Sequence, residues 1–232
     1  MTFDAVRARL ARPVALGQIG GFRPPEDLLA SWLGRVGVVG PGEEWPENAA
    51  GPMVGLAQIN LAELPLVPAA LADLAFLALF VAVDGDGAME PPSGGSGEGS
   101  WLLRAYKETL GLRPVEGSLA PDVQPFPVLW SAGPDELPNW DDATLLLSDE
   151  EMEEFEDDYE ELAGSTDDGF KVGGWPSLIQ GEIGWSGPED PGYLIQIGSD
   201  EKARIQWGDG GVVHIGRGRR DPSSWEAAWQ CF

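Results

Sequence analysis

Apolar positions recur along this chain with two periods, and the change of period divides it into elements. Phe3, Val6 and Leu10 fall at helical spacing and predict an N-terminal helix over residues 2–11. Val54–Asn60 predicts a short strand. The most apolar run, residues 66–83, is interrupted by Pro68 and Asp73. Its continuous part, 74–83, is too short to span a membrane as a helix and predicts a buried strand with a short helical or turn lead-in. Residues 101–110 restart regular structure. The clearest helix is 148–162: Ser148 is an N-cap, Glu151 completes a capping box, and Met152, Phe155, Tyr159 and Leu162 form one apolar stripe that Gly164 stops. Strands are predicted at 193–197, 203–207 and 212–215, and a short amphipathic helix near 223–229. Between these lie a Gly/Pro-rich loop at 34–52 and a surface loop at 84–100. The segment 114–138 carries six prolines and is extended or looped.

Two stretches resemble one another. Trp45-Pro46 is followed by Leu56-Ala-Gln58-Ile59 and Glu63; Trp175-Pro176 is followed by Leu194-Ile-Gln196-Ile197 and Glu201. Each then meets a further apolar strand. Gly-Asp-Gly also occurs in each half, at 85–87 and 208–210, but on opposite sides of that strand, so it stands outside the repeat. Two copies are too few for a solenoid. They predict one α+β domain over residues 1–232, an internally duplicated module of mainly antiparallel sheets with peripheral helices and a shared core. Its halves would be 1–110 and 140–232, joined by the Pro-rich segment 111–139. Chance likeness of short strands is the alternative.

These residues also carry a resemblance. Pro41-Gly-Glu-Glu-Trp-Pro46, Leu56-Ala-Gln-Ile-Asn-Leu-Ala-Glu-Leu-Pro65, Lys171-Val-Gly-Gly-Trp-Pro-Ser-Leu-Ile-Gln180, Leu194-Ile-Gln-Ile197 and Gln206-Trp-Gly-Asp-Gly-Gly-Val212 resemble the YwqG-like (DUF1963) family of bacterial proteins of unknown function. The resemblance spans about residues 12–232 and implies an intracellular α+β protein with an internal repeat. It transfers no catalytic residue. By analogy with residues 173–176, a Gly-Gly-x-Pro segment is expected before Trp45, where the chain instead reads Ser31-Trp-Leu-Gly-Arg-Val-Gly-Val-Val39.

Charge narrows the choice of partner. Fourteen Lys and Arg face 39 Asp and Glu, a formal net charge of −25. A surface this acidic excludes a general electrostatic grip on nucleic acid or anionic membranes. Apolar residues are 43% of the chain, enough to exclude wholesale disorder. The single cysteine, Cys231, rules out an internal disulfide, and Asp4, Arg7, Arg9 and Arg12 interrupt any secretory apolar core, so the expected setting is the cytoplasm. Ten of the fourteen residues 148–161 are acidic. Their i,i+4 like-charge pairs cost about 1–3 kcal/mol together, which burial of the apolar stripe outweighs.

Candidate chemistry is sparse. His214, the only histidine, lies in Gly211-Val-Val-His-Ile-Gly216 and reads as a strand residue; one histidine assembles neither a triad nor a His-rich metal site. Asp84-Gly-Asp-Gly87 lacks the rest of a calcium loop and reads as a surface turn. Gly208-Asp-Gly-Gly211 lacks a following Lys-Ser/Thr and reads as a hairpin turn. No cofactor, no tightly bound transition metal and no catalytic residue is expected. The late basic residues Lys202, Arg204, Arg217, Arg219 and Arg220 read as internal partners for acids.

Two functions follow. The first is a non-enzymatic binding protein, in its most concrete form an immunity or antitoxin-like protein masking a basic partner. Its contact surface would be Asp149, Glu150, Glu153, Glu154, Glu156, Asp157, Asp158, Glu160 and Glu161. The alternative is an enzyme or sugar-like ligand binder. It would use some of the ten tryptophans to line a pocket with paired carboxylates, which a retaining glycosidase holds about 5–5.5 Å apart.

Overall fold

The apolar run around residue 78 is buried on both sides, which explains why it is continuous rather than alternating. In the computed structural model, which describes residues 2–232, Phe76–Val81 is a strand with all six residues buried. Leu77, Leu79 and Val81 face the main core, while Phe76, Ala78 and Phe80 face a second cluster with Val36, Val38 and Met53.

In chain order the elements are α1 (Phe3–Leu10), β1 (Val14–Ile19), β2 (Trp32–Leu33), β3 (Val38–Val39), β4 (Glu47–Asn48), β5 (Gly51–Pro52), β6 (Val54–Asn60), β7 (Phe76–Val81), β8 (Gly94–Gly95), β9 (Trp101–Tyr106), β10 (Arg113–Pro114) and β11 (Phe126–Ala132). There follow α2 (Trp140–Thr144), α3 (Asp149–Phe155), α4 (Tyr159–Ala163), β12 (Lys171–Gly173), β13 (Pro191–Gly198), β14 (Val212–Gly218) and β15 (Trp225–Gln230). Eleven strands form one sheet in the order β8-β15-β14-β13-β12-β1-β11-β2-β6-β7-β9. All its pairings are antiparallel. The Pro-rich segment supplies β11, which lies beside β1 with Gly17 opposite Trp130. Among the described residues no helix is long and apolar enough to cross a membrane.

The architecture corrects the α+β expectation to a mainly β fold that has, among the described residues, four short α-helices and two single 3-10 turns. Three local expectations change with it. Residues 223–229 are not a helix: Trp225–Gln230 pairs along its whole length with β14, and ladder bonding to that neighbour outweighs local periodicity. Residues 203–207 are turn and coil; Ala203, Ile205 and Trp207 are buried, but only the Asp200–Ile205 bridge forms. The single helix predicted over 148–162 breaks into α3 and α4 at residues 156–158. Phe155 and Tyr159, on either side of the break, both reach Phe3, at ring distances of 5.4 and 5.7 Å. Leu162, expected in the core, is exposed.

The helices form a lobe with its own core of Val6, Leu10, Leu137, Ala143, Leu147, Phe155 and Tyr159. The Ser148–Glu151 capping box forms as predicted. Arg9 from α1 bonds Glu151 through two nitrogens, at 3.0 and 2.8 Å. That pairing, with the backbone N–H of Ser148, holds the Glu151 carboxyl down to about 2.

Candidate functional site

Two buried glutamines organise the sheet in the same way. Gln58 on β6 accepts from the Gly37 N–H at 2.7 Å and donates to the carbonyls of Leu28 and Ala30. Gln196 on β13 accepts from the Ser177 N–H at 2.8 Å and donates to the carbonyls of Asp167 and Gly169. Across the next strands Gln58 faces Trp32 and Ala78, and Gln196 faces Lys171 and His214. Each long strand carries a bulge just before its glutamine, between Gly55 and Ala57 and between Tyr193 and Ile195. Each short partner strand ends at a left-handed glycine, Gly34 or Gly173.

Only the second arrangement has an ionised interior. Lys171 is wholly buried, and its ammonium bonds both carboxylate oxygens of Glu136, at 2.9 and 3.0 Å, and the Trp175 carbonyl at 2.7 Å. Burial lowers the Lys171 pKa, and Glu136 partly offsets this. Glu136 also accepts from the N–H groups of Trp175 and Asp167, so neither charge is left unmet. A Cβ on Gly174 would stand 2.1 Å from the Glu136 carboxylate, so the second glycine of Lys-Val-Gly-Gly-Trp-Pro is required by close approach.

His214 is also fully buried. Its Nε2 lies 2.9 Å from the Ser177 carbonyl, which only accepts, so Nε2 carries the proton. Burial lowers its pKa to about 4. The other ring nitrogen, Nδ1, has no hydrogen-bond partner, and neither has the buried Tyr193 hydroxyl; the two rings meet edge to face at 6.0 Å.

Three adjacent strands pin the segment after Pro176. Gln196 and His214 hold Ser177. Gln230 on β15 accepts from Ile179 and Gln180 and donates to the carbonyls of Gly181 and Glu182. Glu226 on β15 accepts from Ser186 and Gly187. The pinned segment walls a cavity of about 420 Å³, whose lining includes Arg12, Asp142, Trp175, Glu182, Trp185 and Tyr193, together with Asp190 and Arg219. Arg12 lies over the Trp175 ring with its Cζ 3.3 Å from the centroid, and Arg219 pairs with Asp190 at 3.3 Å. Burial, then the charge of Arg219, lowers the Arg12 pKa. Burial, then the charge of Glu182, raises that of Asp142. The cavity therefore offers charges of both signs beside aromatic faces.

The other predicted residues are placed as follows. Asp149, Glu150, Glu153, Glu154, Glu156, Asp157, Asp158, Glu160 and Glu161 are all exposed on the helical lobe. Trp175 and Pro176 line the cavity, but Trp45 and Pro46 do not occupy the matching place. Trp45 sits over Phe80 and donates to the Met53 carbonyl, whereas the segment that follows β2 and reaches Gln58 is Gly34–Gly37. Glu63 accepts from the Ser31 N–H; Glu201 is exposed in a turn, so the two glutamates differ in role. Asp84 Oδ1 caps its own turn by accepting from Asp86 and Ala88. Among the basic residues Lys202 donates to the Ile19 carbonyl, Arg217 pairs with Asp73 and Arg220 donates to the Pro188 carbonyl.

Sequence reasoning missed Arg12, Glu136, Asp142, Lys171, Glu182, Trp185, Tyr193 and Arg219 as a group. One signal was available: Lys171 stands between Phe170 and Val172, and a lysine in an apolar strand requires a buried carboxylate. A family model described as a domain of unknown function (DUF1963) matches residues 31–216. No curated protein matches the chain.

Proposed function

The chain belongs to the DUF1963 family, and from that premise we propose that it is a non-enzymatic binding protein whose tryptophan-lined cavity takes a small polar ligand. The observation that carries this reading is the pinned wall. Gln196, His214, Gln230 and Glu226 hold residues 177–187 in front of the cavity by part-buried hydrogen bonds, which fixes Leu178, Glu182, Ile183 and Trp185 as one preformed wall. The test is a thermal-shift screen of polar metabolites on the full chain. A binder should raise the melting temperature of the wild type and not of Trp185→Ala. If every stabilising compound acts equally on both proteins, the cavity is not the site.

A second reading has its own observation. The nine exposed acids on α3, α4 and the turn between them suit a basic protein partner, as in an immunity or antitoxin-like role. The expected setting for either is the cytoplasm, given a single cysteine. The matching glutamine strands support a duplicated origin. In that reading β1, β2, β6, β7 and β9 answer to β11, β12, β13, β14 and β15, and each half lends its first strand to the other half's short second strand.

A further inference from the structure

The cavity beside Trp175 contains two opposite charges that do not meet. The Arg12 guanidinium is stacked on the indole and open to solvent, and none of its N–H groups has a protein acceptor among the described residues. Asp142 stands on α2, half-buried; its carboxylate has no hydrogen-bond donor and no cation at ion-pair distance among the described residues. Arg12 and Asp142 sense each other's charge, yet no salt bridge closes between them. Arg219 is already engaged by Asp190, and Glu182 adds a second negative charge on the Asp142 side. Asp142 is half-buried, and burial works against its charged form, whereas Arg12 is exposed to solvent; the cost that a bound counter-charge would remove therefore falls on Asp142.

An anion would be drawn by Arg12 and repelled by Asp142 and Glu182, and a cation would meet the reverse. A molecule carrying both charges, aligned against this pair, satisfies both ends. We infer that the cavity binds a small zwitterion of the amino-acid class. Its carboxylate lies on the Arg12 fork, its ammonium lies toward Asp142 and Glu182, and an apolar side chain lies against Trp185. The planar guanidinium suits a carboxylate held through two parallel hydrogen bonds. A volume of about 420 Å³ is within the range of small-molecule sites. The inference rests on the cavity being a ligand site, and it adds the ligand's class.

The test is titration calorimetry of the full chain with four probes: L-phenylalanine, 3-phenylpropionate, which lacks the ammonium, 2-phenylethylamine, which lacks the carboxylate, and glucose. L-Phenylalanine should bind one to one, and each single-charge analogue at least tenfold more weakly. Arg12→Gln and Asp142→Asn should each weaken L-phenylalanine binding at least tenfold. Both side chains lie at the surface of the cavity, and unchanged circular dichroism will show that the variants fold. Equal binding of phenylpropionate or phenylethylamine would overturn the inference, as would L-phenylalanine binding that ignores both substitutions. Glucose binding lost in Trp185→Ala would overturn the zwitterion and leave the cavity reading standing. Absence of binding by all four probes would overturn the zwitterion, while the thermal-shift screen decides the cavity on its own.

Discussion

The strands around Gln58 and around Gln196 use the same framework for different ends. Both glutamines are buried and saturated by three backbone groups, and both follow a bulge. The residues beside them diverge. Gln58 lies between Trp32 and Ala78; Gln196 lies between Lys171 and His214. The extra residue of the bulge is a leucine in both, Leu56 and Leu194, but the residue before it is Gly55 in one and Tyr193 in the other. A Cβ on Gly55 would stand 2.5 Å from the Val36 backbone, so that region is closed by chain packed against chain. In the second region the corresponding tyrosine faces a cavity. The difference teaches that the glutamine is scaffolding, since it serves an apolar interior as well as an ionised one. The chemistry belongs to what surrounds Gln196.

The largest expected effect tests the ionised interior. Lys171→Met leaves Glu136 buried without its counter-charge, and urea unfolding should show a loss of about 3–5 kcal/mol. Adding Glu136→Gln should recover part of it. Recovery of nothing would mean that Lys171 matters for its packing rather than its charge.

The next test is of the shared framework. Gln58→Leu takes a partner from the Gly37 N–H and the Leu28 and Ala30 carbonyls, and Gln196→Leu from the Ser177 N–H and the Asp167 carbonyl, the Gly169 carbonyl keeping the Gly198 N–H; each should cost about 2–4 kcal/mol by the same measurement. The comparison predicts costs within about 1 kcal/mol of each other. A near-neutral substitution in one region alone would break it.

A smaller effect separates the regions by pH. Native His214 stays neutral down to about pH 4, whereas in the unfolded chain it protonates near pH 6.5. Its folded pKa is lowered, so stability is full above about pH 6.5 and is lost as pH falls toward 4. At pH 5 the loss is about 2 kcal/mol relative to pH 7.5. His214→Gln should remove this dependence when unfolding is followed across pH 5–7.5, while Gln58→Leu should keep it. Glu151, with its carboxyl held at about 2, adds a separate loss only as pH falls from about 4.5 toward 2.

The smallest effect concerns the acidic lobe. Reversing Glu153, Glu156 and Asp157 to Lys removes like-charge pairs from an exposed face and should change stability by no more than about 1 kcal/mol. If a basic partner docks there, the reversal should slow its association, most strongly at low salt. A partner captured from native lysate whose association ignores both salt and reversal would leave this face a solvated surface.

The local elements whose signals are self-contained were legible in the chain. α1, β6 and β7 follow from apolar spacing alone, and the Ser148–Glu151 capping box and the Gly164 stop follow from residues a few positions apart. So does the excess of exposed acid around α3 and α4, because ionised side chains are costly to take out of water. What depended on distant neighbours was decided only by the tertiary structure. Residues 223–229 carry an amphipathic pattern, yet they became β15 because β14 offered a full ladder. A Pro-rich stretch supplied β11 beside β1, since sheet pairing needed its backbone and tolerated Pro127 where no N–H was required. The cavity combines Arg12, Asp142, Trp175, Tyr193 and Arg219, residues separated by more than two hundred positions. No local pattern marks such a group, because its geometry arises where β12, β13 and the helical lobe converge, and charge and burial there are properties of the assembled fold.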